Sequence, residues 1–377
     1  MTLTAGAGTT NAAGSHVLQP AGVTVEPAYG RRALSVIDAE LDALATSIRA
    51  PLTARPTWIL ATSAQAVGLE PWALVARGAT GTAVGAVVLL DHVADGHVAL
   101  TTLAGTDSKH RGEVLTKDPA VAYELGGALS RMLADRLITS PVELGPFSAN
   151  SLLVKAFAEG LAGSRLCDAA AIPVIRGGGG TPPVDHLSGG MRRTLRKAAN
   201  RLAADGHTSV VRFTSAPGEI LSSLHLLEQV YRQRDHAHGR ISELDDIVRH
   251  RIWQQRVRDL IEAGELELAT LRISGDLAAY TLGVLDRPAY RLLEGRFVTR
   301  WARYSPGRLL EAAVVDRALS DPDTTTFDWM TAIAPETLLG SNHADPMVVV
   351  RVGHDPDSQL SAEPAAESEP EPSPAQA

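Results

Sequence analysis

The sequence predicts an α+β protein built in two halves of similar plan. Each half carries an apolar strand–turn–strand pattern, followed later by a helix pattern and a further strand. One helix pattern is bracketed by its own signals, Ser188 as a start and Asp205-Gly206 as a stop. Between the halves, residues 176–187 read RGGGGTPPVDHL, and four glycines with two prolines make a loop and a domain boundary.

In the first half, residues 32–47 read as a helix. Residues 72–77 and 83–90 flank a turn at 78–81 and read as a hairpin. Residues 119–137 have helical apolar spacing, and 141–145 read as a strand. The second half opens with the Ser188 helix, followed by a short strand at 210–213 and helices at 220–234 and 244–263. Strands at 266–273 and 277–285 surround the turn Ser274-Gly275-Asp276. A strand at 290–297, a helix at 305–319 and a strand at 326–329 complete the pattern. The repeat is visible in element order and not in residue identity.

The chain has 377 residues, 45% apolar and 21% charged, enough to bury cores in two or three domains. The formal net charge is −8, of which six negative charges lie in the last 23 residues, so the remaining chain carries about −2. That excludes a uniformly basic nucleic-acid binder but leaves room for a local basic patch. The single cysteine, Cys167, excludes intramolecular disulfides and Cys-rich zinc sites and suits a reducing cytosol. The start has no basic stretch followed by an apolar one, and the longest apolar run, 84–90, is too short to span a bilayer. The expectation is a cytoplasmic protein with no membrane span and no DNA partner. Five segments follow: a flexible N-terminal segment (1–30), a first domain (31–176), a Gly/Pro linker (177–187), a second domain carrying the site (188–354) and a disordered acidic tail (355–377).

Two stretches carry chemical information. In RYSPGRLLEAAVVDRAL, residues 303–319, a strand gives way to a helix. Ser305 is placed to cap the helix and Pro306 fits its first position. The amides of Gly307, Arg308 and Leu309 then point out of the helix start, where the dipole favours an anion, and Arg303 and Arg308 add charge. The same segment also reads simply as a well-capped helix with a packing glycine. The second stretch is MRRTLRKAANRL, residues 191–202. At 100° per residue, Arg192, Arg193, Arg196, Lys197 and Arg201 share one half of a helix, and Leu195, Ala198, Ala199 and Leu202 the other. Such a stripe suits the phosphates of RNA or a nucleotide; it is also compatible with a solvated face.

These two segments, in this order and spacing, resemble the tandem GNAT-fold proteins of the CelD-like group over roughly residues 36–351. Trp58, the hairpin to Leu90, TDSKHRGEVL at 106–115 and 148–152 resemble its first half. The basic helix from Leu195, the Glu228–Tyr231–Arg234 helix, the Ser274-Gly275-Asp276 turn, YSPGRLL at 304–310 and TFDW at 326–329 resemble its second half. The resemblance implies two tandem GNAT-like domains, each a mixed, mostly antiparallel sheet flanked by helices, and acyl transfer. Fem-type transferases share the arrangement and take an aminoacyl group from charged tRNA, whereas others in the fold use acyl-CoA. Two departures bear on the donor. The Tyr-Lys pair that often follows the Phe-Asp strand in this group is replaced by APETLLGSNH at 334–343, and the usual Arg/Gln-x-x-Gly-x-Gly/Ala cradle has one glycine and a proline here. The second departure sets aminoacyl-tRNA ahead of acyl-CoA as co-substrate.

Acyl transfer needs a base for the acceptor, donors for the oxyanion and a proton for the leaving group. Glu294 and Asp328, on strands either side of the 305–319 helix, are the candidate bases; each is also readable as structural, Asp328 bonding a loop and Glu294 pairing Arg296 or Arg291. Tyr304 is the candidate donor to the leaving oxygen. Arg296, Arg300 and Arg303, with Ser305, Gly307, Arg308 and Leu309, are the candidate donor-binding set. The Arg192–Arg201 stripe is the candidate tRNA or phosphate surface. The expected acceptor is an amine, hydroxyl or hydroxylamine of a small metabolite or precursor, in natural-product biosynthesis. The alternatives are an acyl-CoA-dependent N-acetyltransferase of polysaccharide or antibiotic metabolism, and a non-catalytic degenerate GNAT binding protein. His236 and His238 have no second cluster at ligand spacing, so no metal and no bound cofactor is expected. A Gly-x-Ser-x-Gly elbow and a Walker-type loop are both missing from the sequence, which removes triad hydrolases and P-loop NTPases.

Overall fold

A computed structural model describes residues 22–59, 69–94, 97–103, 110–134, 142–177, 187–333 and 338–352. The first half runs β1 (Thr24–Tyr29), α1 (Gly30–Ile48), a 3₁₀ turn at Leu52–Ala54, β2 (Leu69–Arg77), β3 (Ala83–Ala94), β4 (His97–Leu103), α2 (Pro119–Ala134), β5 (Val142–Ser148), α3 (Leu152–Gly160) and β6 (Arg165–Arg176). The second half runs α4 (Gly189–Ala204), β7 (Ser209–Thr214), α5 (Pro217–Ala237), a 3₁₀ turn at Glu243–Asp245, α6 (Ile247–Glu262), β8 (Leu266–Ile273), β9 (Asp276–Asp286), β10 (Ala289–Phe297), a 3₁₀ turn at Thr299–Tyr304, α7 (Pro306–Ser320), β11 (Thr326–Asp328) and β12 (His343–Val352).

The hairpins form where the turn residues demand them. Gly81 and Gly275 sit at φ of 80° and 90°, a region a Cβ disfavours. Ser188 accepts a hydrogen bond from the Met191 amide (3.1 Å) and α4 ends at Asp205, as its cap signals require. The predicted 244–263 helix divides instead into a 3₁₀ turn and α6. Asp246 makes the break, because its carboxylate caps the Val248 and Arg249 amides. On α4, Ala198 and Leu202 are buried and the basic residues face solvent; Ala199 also faces solvent, because α7 and the 3₁₀ turn at Thr299–Tyr304, against which α4 packs, cover a narrower stripe than the helical wheel allots. Residues 24–29 of the segment expected to be flexible form β1, because they pair antiparallel with β2; residues 1–21, most of the Gly/Pro linker and the acidic tail lie outside the described residues.

A four-stranded sheet has the order β1-β2-β3-β4, and an eight-stranded sheet the order β5-β12-β6-β11-β10-β9-β8-β7. β4 lies beside β5, so the two halves are arranged about the antiparallel β12–β6 pair. Each half ends by lending its last strand to the other: β6 pairs with β11, and β12 pairs with β5. The tandem fold is therefore interlocked, and β12 of the second half completes the sheet of the first. One core lies between α1, α5 and α6 and is shared by both halves, joining Leu41, Leu52 and Trp58 to Val257, Tyr280 and Leu282. Separate cores lie under α2 and α3, around Leu125, Leu129 and Phe157, and under α7, around Tyr290, Val314 and Phe327.

The α2–α3 contact depends on Gly126. A Cβ there would sit 2.2 Å from the Leu153 carbonyl oxygen and 2.9 Å from the Ala156 Cβ. Gly126→Ala is expected to force the helices apart and cost about 1–3 kcal/mol, measured by chemical denaturation; an unchanged midpoint would show that the helices slide without loss.

Candidate active site

β10 and β11 are parallel neighbours over only three residue pairs, Ala289↔Thr326 to Arg291↔Asp328. Beyond them β10 continues through a bulge at Leu292/Glu294 while β11 ends, and the chain turns away at Met330, whose φ is 62°. Strands that part leave an opening, and here it is a cavity of about 1010 Å³. Its walls are residues 292–296 of β10, Trp329 and residues 331–333 after β11, Glu311 of α7, Tyr231 of α5, one side of α6, and Trp58 and His110 of the first half.

Two carboxylates face this space on either side of Gly295. Glu294 is held by two donors: the Tyr280 hydroxyl gives to Oε1 (2.7 Å) and the Trp253 indole N–H to Oε2 (2.8 Å). Burial raises its pKa, against the opposing effects of Arg296 and those two hydrogen bonds. Glu311 has no hydrogen-bond partner among the described residues, and its Oε1 lies 3.9 Å from where a Gly295 Cβ would stand. Burial pushes its pKa up to about 7, against the opposing charge of Arg308. Arg296 stacks on Tyr231 (4.0 Å from guanidinium carbon to ring centroid) and donates from Nη1 to the Gly295 carbonyl (2.9 Å). Burial also holds the Tyr231 phenol well above its usual pKa.

Of the residues singled out from sequence, Glu294 and Arg296 line the cavity. Asp328 does not: its Oδ2 accepts from Arg291 Nη1 (3.0 Å) and its Oδ1 from the Met330 amide (2.7 Å), so both oxygens are engaged. Arg291 also meets Asp286 Oδ2 (2.6 Å) and Glu113 (3.6 Å), and Asp286 reaches Arg55 (2.6 Å) and the Leu52 amide (3.0 Å). This buried network joins the halves, and it places Asp328 in the loop-bonding role. Tyr304 is also outside the cavity wall. It is buried against Trp301 and His207, and its hydroxyl donates to Asp205 (2.8 Å). Arg300 is exposed and pairs with Asp276 (2.8 Å), and Arg303 pairs with Asp205 (2.5 Å).

The 303–309 corner differs from expectation in two respects. Ser305 adopts a left-handed backbone (φ 49°), so its side chain makes no capping bond. The Leu309 amide donates to the Ser305 carbonyl (3.1 Å) and is not an outward donor. Gly307 rests against Phe297, and Ser305, Gly307, Arg308 and Leu309 are not part of the cavity wall; α7 enters it one turn later, at Glu311. The corner instead adjoins the basic helix. Arg201 donates to the Arg303 carbonyl, and Arg308 Nη1 lies 3.9 Å from Met191 Sδ. Arg192 donates to the Leu187 carbonyl (2.8 Å). Arg193, Arg196 and Lys197 are exposed on the same face, with no acidic partner among the described residues. The two features read separately in the sequence thus form one basic surface.

Glu311 is the residue that sequence reading passed over, and Tyr231 was noted there only for the resemblance, with no role in a site. The signal for Glu311 was one acid in the α7 pattern four residues past Gly307, which reads as a solvated position until Gly295 is seen beside it. Among the described residues, no group of three or more His, Cys, Asp or Glu is arranged to hold a metal ion. No described helix is long and apolar enough to cross a membrane.

Residues 189–336 match the family model for the acetyltransferase (GNAT) domain. Among solved structures, the chain is similar to FemX at 10% identity and a TM-score of 0.57, over 86% of this chain and 98% of that one. It is also similar to a conserved protein of unknown function from Bacteroides thetaiotaomicron VPI-5482 at 10% identity and a TM-score of 0.50, over 84% and 97% of the two chains. A tandem GNAT protein from the clavulanic acid biosynthesis pathway aligns over 88% of this chain and 99% of that one, with 15% identity and a TM-score of 0.45. No protein of curated function matches the sequence. Residues 189–336 are therefore similar to a GNAT acetyltransferase domain, and the described chain has a tandem GNAT fold. At this identity the likeness to FemX is one of fold.

Proposed function

We propose that the protein moves an aminoacyl group from aminoacyl-tRNA to an amine, hydroxyl or hydroxylamine of a small metabolite or precursor in natural-product biosynthesis, with acyl-CoA as the alternative donor. The observation that carries the transfer chemistry is the pair Glu294 and Glu311 at the opening between β10 and β11. Glu311 has open lone pairs and a pKa near 7, as a general base at neutral pH requires. It takes the acceptor's proton, and the freed electron pair attacks the acyl carbonyl. The tetrahedral oxyanion collapses by breaking the bond to the leaving oxygen or sulfur. That atom takes a proton from Tyr231, which burial keeps protonated, and the proton held by Glu311 passes to solvent with Tyr231 reprotonated in turn. Glu294, held by Tyr280 and Trp253, orients the acceptor. Tandem GNAT folds serve more than one donor, and the exposed face of α4 favours the tRNA. A short run of cations beside the donor end suits nucleic-acid phosphates.

The deciding measurement is mass spectrometry of products after incubation with charged tRNA or with acyl-CoA and candidate amines. Product with charged tRNA and none with acyl-CoA supports this reading, and the reverse selects the acyl-CoA reading. Absence of product with either, across amine, hydroxyl and hydroxylamine acceptors, would favour a non-catalytic binding protein.

A second test addresses the basic face alone. Neutralising Arg193, Arg196 and Lys197 to Gln is expected to raise the KM for charged tRNA, leave kcat close to wild type, and reduce the salt slope of binding by about 1 per phosphate-contacting residue. An unchanged slope would remove α4 from donor binding.

A further inference from the structure

The first half contributes a second, unassigned part of the cavity. Trp58 is 3% exposed and lines the wall, and its indole N–H is buried with no acceptor among the described residues. A buried donor left unmade is destabilising, and a bound ligand atom that accepts from it would remove that cost. The Arg256 guanidinium lies over the face of the same ring, 4.2 Å from its centroid, and Arg256 lines the cavity as well. A buried N–H beside an obligate cation is a site for an oxyanion.

Position relates this corner to the chemistry. Arg256 is on α6, three residues beyond Trp253, whose indole holds Glu294. Residues three apart lie on one face of a helix, about 5 Å from one another. The wall charges agree. Arg240, Arg249, Arg256 and Arg296 contribute cations, while two of the three wall carboxylates, Glu294 and Glu311, are driven toward their neutral forms by burial.

We propose that the Trp58–Arg256 corner binds an oxyanion carried by the acceptor, a carboxylate or phosphate about one helical turn from the reacting amine or hydroxyl. This inference rests on the transferase reading for the identity of the ligand as acceptor. Trp58 of the first half then joins Arg256 of the second in selecting the acceptor, while Glu311 and Tyr231 of the second half perform the transfer.

The test is calorimetric titration of the full chain, without donor, using 4-aminobutyrate, phosphoethanolamine and 4-aminobutanol, which has the same ammonium group and no oxyanion. At least one anionic probe is expected to bind about tenfold or more tightly than 4-aminobutanol. Which of the two binds better distinguishes carboxylate from phosphate. Trp58→Phe keeps the ring and removes the N–H, and Arg256→Gln removes the charge. Each is expected to weaken the anionic probes about tenfold and leave 4-aminobutanol unchanged. Thermal melting of each variant checks that the fold is kept; if Arg256→Gln fails to fold, Trp58→Phe alone carries the test. Equal binding of the probes with and without an oxyanion, no binding of either anion-bearing probe, or anion binding indifferent to both substitutions would overturn the proposal. Anion-selective binding without product from any donor would leave the subsite standing and remove the transferase reading, whereas product only from amines that lack an oxyanion would do the opposite.

Discussion

Glu311→Gln is expected to lower kcat/KM about 10²–10⁴-fold, the usual contribution of a positioned general base. The wild-type rate is expected to rise with pH through about 7, because burial sets the Glu311 pKa there and only the deprotonated form accepts the acceptor's proton. The variant should lose that inflection. Stability should move the other way. A carboxyl whose pKa is raised on folding contributes fully below its unfolded value near 4.5 and loses that contribution as pH climbs through about 7. Glu311→Gln removes the charge that burial disfavours, so the variant should match wild type at pH 4 and exceed it at pH 8.5 by on the order of 1–3 kcal/mol. Urea denaturation at the two pH values reads this directly. A variant that keeps its turnover, or that loses stability at high pH, would remove Glu311 from the base role. The same substitution thus separates a functional acid, retained at a cost in stability, from a structural one.

Arg291→Met is expected to cost about 3–5 kcal/mol, the effect of removing one partner from a buried ion cluster. Arg291 is 6% exposed, and its guanidinium serves Asp286, Asp328 and Glu113 at once. Its loss leaves Asp286 and Asp328 buried without their main counter-charge. Asp286 also holds Arg55 and the Leu52 amide of the first half, so the damage should reach the contact between halves and not only the β10–β11 pair. Adding Asp328→Leu to Arg291→Met should restore part of the loss, because one uncompensated charge goes with it. A single-mutant loss below about 1 kcal/mol would show that water or another cation replaces the guanidinium. One substitution lies on α7 and the other on β10; the first is expected to act on rate and the second on folding.

The distinction between those two sites was not visible in the residues themselves. Glu294 and Asp328 read alike in the sequence, each an acid on a strand beside the α7 segment. Their separation comes from the register, since Arg291↔Asp328 is the last paired step before the strands part. An acid at the paired step meets its neighbour strand, whereas an acid three residues later meets the cavity. Tyr304 likewise stood next to the most informative motif but turns into the Trp301–His207 cluster, while Tyr231, on a helix more than seventy residues earlier in the chain, reaches the site.

What the sequence alone determined is whatever depends on neighbours along the chain: the caps of α4, the 266–273 and 277–285 hairpin, the Pro306 start of α7, and a basic stripe opposite Ala198 and Leu202. Such features answer to spacings of two to four residues and to local backbone chemistry. Only the tertiary structure decided that β12 lies between β5 and β6, that β6 crosses to β11, and that Trp58, Tyr231, Glu294 and Glu311 share one cavity. Those arrangements bring together residues from both halves of the chain. Which strand lies beside which follows from burying three cores and one ion network together, and no short window of sequence contains that requirement.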